Sequence, residues 1–203
     1  MPAISPENPL TSKDARALLS MLHAGVEIEQ GMSERELDRV EERWEFRFAP
    51  EHRALLGEGL PVGGRSWPDW RDGDPEDLAG RLAWPVEGVL FDVERNGFWH
   101  PDWDPRPAGA QDALDLARAY LARVPVMVPI HSHRYLLGDP DRTGTPVLSM
   151  YQTDIFYYGT DLVDYFHHEF GRPVPTPDDH QYAPIRHNET HARLIGRRAL
   201  RRG

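Results

Sequence analysis

Residues 128–138 read VPIHSHRYLLG, two histidines two apart inside an apolar run. In a β-strand, positions i and i+2 share a face, so His131 and His133 could hold one metal ion between them. Zinc needs one or two further ligands, and the nearest histidines along the chain are His167 and His168. Both lie in a stretch patterned as a helix, where only one of two adjacent side chains faces inward. With no further spacing pattern, the pair reads more simply as one buried imidazole and one at an edge. A second pair, His187 and His191 in HNETH, stands at i, i+4 but has no apolar periodicity around it, and its Glu is not placed as in HExxH. Ser132 lies between the first two histidines. Neighbours on a strand point to opposite faces, which makes a Ser–His couple poor.

Other chemistries lack their residues. There is no cysteine, which removes disulfides and thiolate catalysis. No G-x-S-x-G, P-loop or G-x-G-x-x-G occurs, and Gly63-Gly64-Arg65 is only a flexible loop with an arginine. No cofactor and no metal are expected, and the chain reads as a non-enzyme. The rival reading is a metal-dependent enzyme built on His131, His133, Asp154 and a helix histidine.

The aromatic residues are patterned differently. Five of the six tryptophans, Trp67, Trp70, Trp84, Trp99 and Trp103, fall within 37 positions. Trp67, Trp70 and Trp103 sit in proline-bearing loops. Loop tryptophans either anchor a partner or cap the core beneath long loops. The formal net charge is −10 and uneven. From residue 186 to the end there are six arginines and one glutamate, leaving 17 basic and 32 acidic residues, a net of −15, in 1–185. Such a body repels phosphate backbones, arguing against nucleic acid, and suits a basic protein partner. No run of 18 apolar residues exists, so no membrane span is expected, and the start carries no signal-peptide pattern. A cytoplasmic protein is the simplest expectation.

The elements that must position these residues follow from spacing. Residues 1–10, with three prolines, read as a flexible lead-in. A helix is predicted from Thr11 or Ser12 to His23, and another after the capping box Ser33/Glu36. FRFA is an extended piece and a short helix follows from Pro50. Asp74-Pro75 starts a helix that Pro85 is expected to close. Residues 86–100 then read as strand, Asn96-Gly97 turn and strand. Residues 109–123 form a helix, VMVPIHS, HRYLL and PVLSMYQ read as short strands, and a last helix is capped by Thr160 and closed by Gly171. The order implies α+β, a mostly antiparallel sheet packed against several helices. The organisation is a lead-in (1–10), one domain (11–175) and a Pro/His/Arg-rich tail (176–203).

Read together, RWEFRFAPEHRALLGEGLPVGG, SWPDWR, WPVEGVLFDVERNGFWHPDWDPRP, PVMVPIHSHRYLLG and GTPVLSMYQTDIFYYGTDLVDYFHHEF resemble bacterial SMI-KNR proteins of the SUKH superfamily, over roughly residues 38–171. The resemblance implies an α+β scaffold that binds proteins rather than an enzyme. Bacterial members are proposed to be immunity proteins that neutralise toxins; another relative is a yeast cell-wall assembly regulator, so a regulatory scaffold is the alternative. The positions carrying the resemblance are Trp67, Pro68, Asp69, Trp70, Trp99, His133, Arg134, Tyr135, Asp154, Tyr157 and Tyr158. With the loop residue Trp103, and without Pro68, they form the expected partner-binding set. The motif includes His133 and not His131, which makes a metal shared by both less expected and gives His133 a structural or groove-lining role.

Overall fold

The computed structural model describes residues 3–22 and 25–171; the tail expected at 176–203, with His187 and His191, lies outside the described residues. The order is α1 (Ser12–Leu19), β1 (Glu27–Gln30), α2 (Glu34–Trp44), α3 (Pro50–Glu58), β2 (Gly59–Val62), α4 (Pro75–Arg95), α5 (Ala110–Leu121), β3 (Met127–His131), β4 (Arg134–Leu137), β5 (Val147–Tyr151), β6 (Asp154–Gly159) and α6 (Leu162–Phe170). The fold is α+β. Strands β3 to β6 form an antiparallel meander in chain order, and β1 pairs antiparallel with β2 in a separate ribbon.

The capping chemistry sets the helix starts. Thr11 and Asp14 close a capping box on α1, and Ser33 with Glu36 does the same on α2. Helix α1 stops short of His23 because its end tightens: Met21 and Leu22 donate to the carbonyls of Leu18 and Leu19. Asp161, not Thr160, caps α6. One carboxylate oxygen accepts the Asp164 N–H and the other accepts the Ile4 N–H, both at 2.8 Å. The stretch 3–10, read as a lead-in, is thus tied to the body at Ile4, which is buried, while Ala3 and residues 6–9 are exposed. Gly171 leaves α6 in an extended conformation rather than a left-handed one.

The largest departure from expectation is α4. There is no hairpin over 86–100: the helix runs through Pro85 to Arg95. Val86, Val89, Leu90 and Val93 fall at i, i+3, i+4 and i+7, and three of them are buried. Asn96 caps the C-terminus and Gly97 follows with φ 70°, so the dipeptide that suggested a turn ends a helix instead. Pro85 brings no N–H to the carbonyl of Arg81. The Tyr135 hydroxyl donates to that carbonyl at 3.0 Å. Burial pushes the Tyr135 pKa up, which keeps the hydroxyl protonated as a donor.

Alternation along the strands sends side chains to two faces. Ile130, Leu136 and Val147 pack with Leu18 of α1, Leu55 of α3, and Leu162 and Phe166 of α6. Met127, Tyr135, Leu148, Met150 and Ile155 face the other way, towards α4. Helix α5 packs along α4 through Ala117 and Leu121. Among the described residues no helix is long and apolar enough to cross a membrane.

Candidate functional site

The two histidines do not share a face. Strand β3 ends at His131, and the chain turns through Ser132, with φ 52°, before β4 begins at Arg134. His131 turns inward: its Nδ1 lies 3.1 Å from the Tyr165 hydroxyl, and its ring packs on Trp67 with centroids 4.6 Å apart. Burial holds its pKa below the ordinary histidine value, with Glu169 acting in the opposite direction. His133 lies in the turn, Nδ1 3.1 Å from the Ser132 hydroxyl. Among the described residues no three His, Asp or Glu side chains are grouped as metal ligands.

The tryptophans expected to anchor a partner belong mostly to the core. Trp67 stacks on Phe170 at 5.7 Å, Trp70 meets Phe46 and Phe48 edge-on or tilted, and Trp103 lies parallel to Tyr120 at 5.4 Å. All three are buried, which removes them from a contact surface. The cause is long-range: the Ser132 N–H donates to the Ser66 carbonyl, tying the Trp67 loop to the β3–β4 turn. Trp99 is half-buried and donates its indole N–H to the Asp104 carbonyl at 2.8 Å. Asp69 spends one carboxylate oxygen on the N–H groups of Arg71 and Asp72, building a turn. Arg134 is also buried. Its guanidinium lies 3.6 Å from the centre of the Tyr158 ring and donates to the Ser149 hydroxyl. Tyr135 is buried on the opposite face, Tyr157 is half-buried opposite Leu148, and Asp154 opens β6 at the surface opposite Tyr151. The structure thus scatters the expected set across both sheet faces.

It assembles a different site where α4 crosses the sheet. An open groove of about 510 Å³ runs between the first half of α4, the loop at Arg65 and the turns β3–β4 and β5–β6. Of the expected residues it takes His133 and Tyr135. Trp84 and Tyr151, 45% and 56% exposed, face each other across it with ring centres 6.0 Å apart. Position 84 precedes Pro85, so the Tyr135 bond to Arg81 holds the helix turn that presents Trp84. Arg81 is itself clamped, donating to Asp77 at 2.6 Å and to the Arg65 carbonyl at 2.6 Å. Glu76 and Asp77 line the acidic end, Arg65 supplies the opposite charge, and His133 adds a neutral imidazole. Burial and the neighbouring Arg134 lower the His133 pKa, keeping the ring neutral near pH 7. The groove offers aromatic surface and hydrogen-bonding groups, among them the Ser132 hydroxyl 3.1 Å from the His133 Nδ1. Sequence reasoning missed Trp84 and Tyr151. For Trp84 the signal exists only once 75–95 is seen as one helix, because Trp84 then falls off the stripe of Leu78, Leu82, Pro85 and Val89.

A second cavity, about 260 Å³, lies behind α4 against the sheet and is lined entirely by apolar side chains. The chain matches no protein-family model, no curated protein and no solved structure.

Proposed function

We propose that the chain is a non-enzymatic protein-binding module that acts in the cytoplasm, and that it neutralises a basic toxin domain by stoichiometric occlusion. The observation that carries this reading is the exposed Trp84–Tyr151 pair at an open groove with acidic Glu76 and Asp77 at one end. Large aromatics at the centre of a contact supply most of its binding energy. The acidic body, net −15 over residues 1–185 with 17 basic and 32 acidic residues, steers a basic partner to it. The resemblance to SUKH proteins points the same way. His133 and Tyr135 then act from within the groove, while Trp67, Trp70, Trp103 and Arg134 serve the packing of the body that carries it.

The test is purification of the tagged protein from its native cells at low salt, followed by mass spectrometry. A stoichiometric partner with a basic toxin-like domain is expected. Trp84→Ala/Tyr151→Ala should weaken its binding by about 30-fold or more while leaving the melting temperature near that of the parent. The association rate should fall steeply with salt. Recovery of the protein alone argues for another role, and a partner still bound by the double variant places docking elsewhere.

A further inference from the structure

The cavity behind α4 has no place in the protein-binding reading, and its chemistry is specific. Its walls include Leu82, Pro85 and Val89 of α4, Leu121 at the end of α5, and Met127 and Ile155 of the sheet, and no lining residue carries a polar or aromatic side chain. Water finds no side-chain partner there, so an apolar occupant displaces only poorly bonded water. A flat heterocycle finds no ring to stack on. We propose that the cavity binds an unbranched alkyl chain, such as the tail of a fatty acid or alcohol, with its headgroup left in solvent at the mouth.

Three observations support that occupant. About 260 Å³ accommodates on the order of nine carbon-sized groups at roughly 30 Å³ each. The two methionines of the lining, Met127 and Met150, are unbranched and adjust their rotamers to a chain. Ala122 and Val126 line the cavity and are both exposed, Val126 at 40%, so the mouth opens to water where a polar head can sit.

The test is calorimetric titration of the full chain with 1-alkanols from hexanol to dodecanol. Affinity should rise about fourfold per added methylene and level off near nine carbons, where the cavity is full. Ala122→Trp places an indole in the mouth and should weaken 1-octanol at least tenfold with the parent melting temperature. Val126→Trp serves the same purpose if the first variant does not fold. Absence of saturable binding overturns the proposal. So does affinity that climbs past dodecanol in parent and variants alike, which is surface partitioning. Indole binding tighter than 1-octanol also overturns it, since that marks a site for flat rings. None of these outcomes depends on the Trp84–Tyr151 groove, so this proposal and the protein-binding reading fail separately.

Discussion

The two faces of the β3–β6 sheet start from the same alternation and end differently. One face is closed by α1, α3 and α6, with Leu18, Leu136, Leu162, Tyr165 and Phe166 at zero exposure and Trp67 wedged between His131 and Phe170. Two of the polar groups inside it have partners: Arg134 has the Tyr158 ring and Ser149, and His131 has Tyr165. The other face is crossed by α4 alone, because α5 packs on α4. Met150 and Ile155 are buried there, yet a cavity remains beside them and a groove beyond. An apolar strand face demands cover, and the number of helices that reach it decides whether any binding surface is left over. The groove and the apolar cavity described above both lie on the undercovered side.

The sharpest way to break that asymmetry is to truncate one buried side chain on each face. Phe166→Ala on the closed face should cost about 3–5 kcal/mol, the transfer term plus a new cavity. Met150→Ala should cost about 2 kcal/mol or less, because its neighbours already border empty space. Urea denaturation of both variants checks this. Equal losses would mean that the open face is packed as tightly as the closed one.

Much of this architecture is legible locally. The capping box at Ser33/Glu36, the Asp74 start of α4 and the three apolar runs that form β3, β4 and β5 are all where spacing puts them, whereas β6 goes unread. The hairpin misreading at 86–100 has a physical source. Val and Phe favour strands, Pro85 usually ends a helix, and a glycine with positive φ serves a hairpin turn and a helix terminus equally well. What decides is the 3–4–7 spacing of Val86, Val89, Leu90 and Val93, together with tertiary cover for the carbonyl that Pro85 leaves open. The ribbon β1–β2 was invisible because EIEQ and GLPV are four residues each and pair only through the fold. The site was least legible. Whether Trp67 or Trp84 reaches solvent depends on contacts from residues many positions away.

The closed face should also carry a pH liability. His52 of α3 is wholly buried against Phe48, with ring centres 5.0 Å apart, and its Nδ1 has no hydrogen-bond partner among the described residues. Burial holds its pKa down to about 3, against 6.5 in the unfolded chain. The folded protein therefore keeps it neutral while the unfolded chain takes a proton below 6.5. Its stability contribution is complete above pH 6.5 and is lost as pH falls from 6.5 towards 3, by about 1.4 kcal/mol per unit. That makes about 2 kcal/mol at pH 5. His131, His133 and His100 are lowered by burial too and lose stability in the same direction. Urea unfolding at pH 7 and pH 5 should show a smaller drop for His52→Phe than for the parent, and little change in the drop for His133→Ala. A parent-like drop in His52→Phe would mean the ring is protonated in the folded state.

The smallest effect probes how the open face is held together. Tyr135→Phe removes the hydroxyl that donates to the Arg81 carbonyl, which should cost about 1 kcal/mol. Pro85→Ala restores a backbone N–H four residues on from Arg81, able to close the helical bond itself. In that background the hydroxyl becomes redundant, and Tyr135→Phe should cost close to nothing. The double-mutant cycle should therefore show a coupling of about 1 kcal/mol between residues 50 positions apart in sequence. Additive effects would mean that the hydroxyl does not compensate for the proline. Coupling would mean that the proline and the tyrosine form one device, and that the Trp84 side of the groove stands where it does because strand β4 supplies the hydrogen bond α4 lacks.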